Sequence, residues 1–155
     1  MKKIIRWIWE LPQCILGAIL TKVYKTERLP DYKGIRIYAA DNMSGGISLG
    51  QYIIMRRRYF ETFRYTNGIG EYILNTEYTD NDDVNHEFGH TEDSKRQGPL
   101  YLLITGLPSI TWLGIRRAIN NYLKDKKLNY YWFYTERRAD KLGGVKRNHS
   151  LWIDN

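Results

Sequence analysis

Two histidines four residues apart, with a glutamate beside the first, are the residues of this chain best suited to chemistry: His86-Glu87-Phe88-Gly89-His90. On a helix, positions i and i+4 share a face one turn apart, so both imidazoles can aim at one metal ion. Glu87 then sits beside that ion, where a carboxylate takes the proton of an activated water. The spacing H-E-x-x-H uses two of the chain's three histidines. The competing reading is a pair of helix-surface histidines with no metal.

A catalytic zinc usually draws three ligands from its protein. His149 is the remaining histidine, and Cys14, far upstream in an apolar segment, is the single cysteine. A carboxylate is therefore the better third ligand. In Thr135-Glu136-Arg137-Arg138-Ala139-Asp140, Glu136 and Asp140 again stand four apart. Glu136 suits the metal, while Asp140 suits the far ring nitrogen of a ligand histidine, fixing its tautomer and raising its basicity. Read alone, this segment is equally an exposed helix of mixed charge. Read with HEFGH, the metal site is the stronger interpretation.

HEFGH followed at a distance by E-x-x-A-D resembles the gluzincins, zinc peptidases whose third ligand is a glutamate on a second helix. The E-x-x-A-D form resembles their membrane-associated branch, the prenyl-protein endopeptidases and heat-shock membrane peptidases. The resemblance implies His86, His90 and Glu136 as ligands of one zinc ion per chain, Glu87 as general base, and Asp140 as the partner of His86. It also implies a zincin-like α+β fold, in which a small mixed sheet precedes an active-site helix and a glutamate helix. In such folds the edge strand binds substrate in extended form, a part that Ile47 to Ile54 is expected to play. The segments WELPQCILGAIL, GISLGQYIIM, GPLYLLITGLPS and YYWFYTERRADKLGGV also resemble a group of small bacterial zincin-like proteins, from which no function carries over.

The elements that position these residues can be outlined. A chain of 155 residues suits one domain, residues 1–155. Residues 1–26 read as an N-terminal amphipathic helix, with Ile4, Ile8, Leu11, Ile15 and Ile19 at helical spacing and Pro12 starting or kinking a helix. Its uncharged run is too short to cross a bilayer. A basic start and two tryptophans suit an interfacial helix, and packing on the protein's own core is the other reading. Strands are expected at Gly34–Ala39, at Ile47–Met55 after the Gly45-Gly46 turn, and from Ile69 to Tyr78 after the Asn67-Gly68 turn. Asp80, Asp82 and Asp83 are expected to cap the helix that carries HEFGH. Residues 98–115 carry no charge but are cut by Gly106 and Pro108. They predict an apolar hairpin between the two metal motifs, either dipping into a bilayer or closing over the core. Leu142-Gly143-Gly144-Val145 ends the glutamate helix.

Tyr and Trp favour boundaries between apolar and wet surroundings, so 13 Tyr and 5 Trp suit a cleft or a membrane interface. A net charge of +7 favours anionic partners. Arg56-Arg57-Arg58 among aromatics lacks any recognised nucleic-acid motif, so a solvated turn or an anionic lipid contact is preferred and no nucleic acid is expected. One cysteine excludes an intrachain disulfide. Peptide hydrolysis needs a donor for the oxyanion; His149, Tyr131 and Tyr134 are the candidates. The expected function is zinc-dependent hydrolysis of a peptide or protein substrate, in the cytoplasm and at a membrane surface. The alternatives are a zinc-stabilised scaffold without catalysis, and a basic peripheral membrane or nucleic-acid binder in which HEFGH is accidental.

Overall fold

The branched and aromatic residues of 35–40 and 52–56 alternate or run continuously, the pattern of strands buried on one or both faces. The computed structural model describes residues 3–66, 69–74, 77–123 and 125–154. Helices α1 (Lys3–Trp9) and α2 (Leu11–Val23) lead into four strands, β1 (Glu27–Tyr32), β2 (Ile35–Ala40), β3 (Gly46–Leu49) and β4 (Tyr52–Arg56). These form one mixed sheet in the order β1-β2-β4-β3, with β2 and β4 parallel and the other pairs antiparallel. A hairpin of β5 (Glu61–Thr66) and β6 (Ile69–Leu74) follows, then α3 (Asp82–Gln97), α4 (Leu107–Asn120), β7 (Lys126–Leu128), α5 (Tyr134–Gly143) and β8 (Trp152–Asp154), the last pairing with β7.

The architecture is α+β with a small mixed sheet and several helices, as expected. The single strand expected over 47–55 is instead two strands. Gly50 adopts a left-handed backbone (φ +63), and the chain reverses there to pair Ile47 with Ile54. One edge of the sheet is therefore β3, and the other is β1. Of the third expected strand, Ile69–Leu74 is seen; the Asn67-Gly68 turn lies outside the described residues. The expected hairpin over 98–115 is not formed. Residues 102–106 make a π-helical turn that runs straight into α4, with Gly106 and Leu107 both helical. Pro108 has no N–H to give this continuous path, and the carbonyl four residues before it, that of Ile104, accepts from the Tyr134 hydroxyl instead.

The core lies between the sheet and α3: Ile35, Ile37, Ile53 and Met55 meet Val84, with Phe60 and Tyr78 closing one side. On the opposite face of β4, Tyr52 packs against Gly17 of α2, where a Cβ would come within 2.9 Å of its ring. The cap of α3 is Asn81 rather than an aspartate. Its side chain accepts from the N–H groups of Asp83 and Val84, leaving Asp82 and Asp83 in the first turn.

Candidate metal centre

Helix α3 is polar in sequence yet buried along most of its length, including Asn85, His86, Glu87, His90, Thr91, Asp93 and Ser94. Buried polar side chains need partners, and each face of α3 finds them on a different element. One face meets α5. Gly89 allows this approach: a Cβ there would stand 1.9 Å from the Ala139 carbonyl oxygen. Gly143 does the same one turn further on, where a Cβ would stand 2.1 Å from the Asn85 carbonyl oxygen. Two glycines thus bring the histidine helix and the glutamate helix into backbone contact.

Across that contact His86, His90 and Glu136 converge. Glu136 Oε2 lies 3.2 Å from His86 Nε2 and 3.4 Å from His90 Nε2. All three side chains are buried, and one donor atom from each lies within 4.8 Å of the others. The arrangement fits a metal ion. Ligand atoms about 2.0–2.1 Å from a tetrahedral zinc stand about 3.3 Å apart, close to both observed separations. The group could hold a metal ion, and its two imidazoles and one carboxylate are a donor set that borderline divalent ions accept.

The surrounding residues hold the donors in place. Asp140 Oδ1 lies 2.7 Å from His86 Nδ1, which leaves Nε2 as the ligand nitrogen. Asp140 is itself held by His149 Nε2 at 2.8 Å and by Arg147, which also reaches Asp83 at 2.6 Å. Glu136 Oε1 accepts from the Thr135 hydroxyl at 2.9 Å, which in turn accepts from Ser109 of α4. Burial and the nearby Glu136 carboxylate hold the Tyr130 phenol protonated. Burial alone would discharge His86, but Asp140 and Glu136 outweigh it and raise its pKa to about 9 in the metal-free protein. Burial likewise opposes ionised Glu136 and Asp140. The histidines beside them prevail, and both carboxyls stay below the usual range.

Glu87 points another way, towards the sheet. Its Oε2 accepts from Ser48 Oγ of β3 at 2.6 Å, and a Cβ at Gly46 would stand 2.4 Å from its Oε1. Tyr101 closes this corner, its hydroxyl donating to the Ser48 carbonyl at 3.0 Å. Burial and the nearby charges of Glu87 and Glu136 keep that phenol protonated.

The three oxyanion candidates fall in different places. His149 is bonded to Asp140, behind His86. Tyr134 donates to the Ile104 carbonyl at 2.6 Å. Tyr131 sets its ring edge-on to His86, 5.4 Å between centroids, with Arg147 over its face. Burial raises the Tyr131 phenol to about 12. The tyrosine whose phenol responds most to the Glu136 carboxylate is Tyr130, which the sequence did not single out. Gly46, Ser48, Gly89, Tyr101, Thr135 and Arg147 were also missed. Gly89 lies inside the motif, so its small size was the one available signal. Cys14 is buried against Gly50, with its thiol pKa raised by burial.

Among the described residues no helix is long and apolar enough to cross a membrane. No family model, no curated protein and no solved structure matches this chain.

Proposed function

We propose that the chain is a zinc-dependent peptidase acting on an extended peptide segment, with His86, His90 and Glu136 as the metal ligands. The observation that carries this reading is the position of Glu87. It follows a ligand histidine directly and bonds the edge strand, between the two places that metal and substrate would occupy. A metal that served only structure would need no carboxylate there. When bound, zinc acidifies a water molecule and polarises a carbonyl.

The residues supply the rest. Glu87 accepts the proton of the attacking water and returns it to the leaving amine, with Ser48 Oγ holding the carboxylate in place. Tyr130, kept protonated by burial and by Glu136, is the donor we assign to the oxyanion. Asp140 orients His86 and stabilises its ligand tautomer. Gly45 accepts from Arg56 of β4, so alternation turns Gly46 and Ser48 towards the free edge of β3. The Ser48 carbonyl is taken by Tyr101, which leaves Gly46 as the pairing position for a peptide strand.

The burial of all three donors favours one second reading, a metal that holds α3 and α5 together without catalysis. One experiment separates them. The zinc-loaded chain and its Glu87→Gln variant are incubated with a mixed peptide library, and new termini are counted by mass spectrometry. New termini from the wild type alone support the peptidase. Equal and negligible cleavage by both, with zinc bound in both, supports the structural metal.

A further inference from the structure

The helices flanking α3 have their polarity reversed. From Lys3 to Val23 the helical path is nearly continuous, with Glu10 N–H bonded to the Arg6 carbonyl and Cys14 N–H to the Glu10 carbonyl, both at 2.9 Å. Its polar residues face the protein. Arg6 binds Glu10 at 2.6 Å and the Thr91 carbonyl at 2.8 Å. Gln13 donates to Ser94 Oγ at 3.0 Å and to the Gly98 carbonyl at 2.8 Å. The apolar stripe faces away: Ile4 is 75%, Ile8 62% and Ile19 49% exposed. Water favours the opposite arrangement.

The run from Tyr101 to Asn120 repeats this. Thr105 is buried and bonds Gln97, and Ser109 bonds Thr135, while Leu103, Leu107 and Ile110, at helical spacing, are 66%, 59% and 61% exposed. Trp9 of the first run packs on Gly98, three residues ahead of the second run, where a Cβ would stand 2.2 Å from the indole.

We propose that these two runs form one docking face for an anionic lipid bilayer, going beyond the hydrolytic reading and independent of it. A fluid apolar medium accepts outward aliphatic side chains without matching their shape. Reversed polarity, with Arg6, Gln13, Thr105 and Ser109 bonded to the body, suits such a medium. The charge is complementary: the chain carries +7, and Lys22, Lys25 and Arg117 are exposed at the ends of the two runs. Trp7 and Trp9, partly exposed, stand where interfacial indoles are favoured. No described helix is long and apolar enough to cross a bilayer, so the face lies along the surface.

The test is flotation of the full chain with phosphatidylcholine vesicles, with and without phosphatidylglycerol, beside the double variant Ile8→Gln/Ile110→Gln. Both positions are exposed; circular dichroism of each sample reports whether the fold persists, and zinc content is read separately. The wild type is expected to float with the anionic vesicles. The double variant is expected to keep its fold and lose about tenfold or more in partitioning. Brominated lipid should quench the tryptophan emission, and less so in Trp7→Phe. Three results would overturn the proposal: wild type that stays unbound, wild type and double variant that float equally, or a lipid-free dimer that the double variant converts to monomer. The last would assign the face to a second copy of the chain. If neither protein binds zinc but the wild type alone floats, the docking face stands and the peptidase reading fails.

Discussion

Gly89 and Ala139 stand so close that a Cβ on Gly89 would lie 1.9 Å from the Ala139 carbonyl oxygen. A backbone oxygen cannot swing aside as a side chain can. Gly89→Ala therefore has to push α5 away from α3, taking Glu136 from His86 and His90. Overpacking of this kind costs about 1–3 kcal/mol or more. The expected outcome is a lower melting temperature and weaker metal binding together, read by thermal unfolding and by competition with a chelating dye. Unchanged metal affinity would show that the glycine contact does not set the donor geometry.

Glu87→Gln should leave the metal in place and lower hydrolysis by at least about a hundredfold, since the amide cannot take a proton. The check is metal content and cleavage rate on one preparation. Full activity in that variant would remove Glu87 from the mechanism.

Asp140→Asn retains the shape beside His86 and removes the charge. Loss of such a partner typically weakens metal affinity about 10–100-fold. Three groups lean on this one carboxylate, namely His86, His149 and Arg147. His149→Ala should therefore have a smaller effect of the same sign. Zinc affinities of the two variants, measured by competition, give the order.

Metal uptake should release a proton over an identifiable range. In the metal-free protein the His86 pKa is raised to about 9 from an ordinary value near 6.5. Below about pH 9 the ring carries a proton that zinc must displace, so apparent affinity rises with pH at about tenfold per unit and flattens above it. Calorimetry in buffers of different ionisation enthalpy counts the protons released. Release of none at pH 7 would show that His86 is already neutral.

The parts legible in the sequence are those set by local spacing. His86 and His90 had to share a helical face, and so did Glu136 and Asp140, because four residues nearly complete a turn. The strand from Ile35 was legible from its alternation. What stayed hidden depends on contacts between distant elements. No local pattern told that Gly50 would break one apolar run into two strands and make β3 one edge of the sheet, or that Ser48 would meet Glu87. The stripe of Ile4, Ile8, Ile15 and Ile19 was visible, but periodicity does not say whether it faces inward; Gln13 and Glu10, bonded on the other side, decide that. Gly106-Leu107-Pro108 looked like a bend, yet the helical path runs on through it, with the Ile104 carbonyl bonded by the distant Tyr134 hydroxyl.

The claim beneath all of this is that His86, His90 and Glu136 hold a metal ion. It is tested most directly by elemental mass spectrometry of the purified chain, with Glu136→Ala prepared beside it. The account predicts about one zinc per chain in the wild type and little or none in the variant. No metal in the wild type after zinc is supplied, or equal zinc in both proteins, would contradict it.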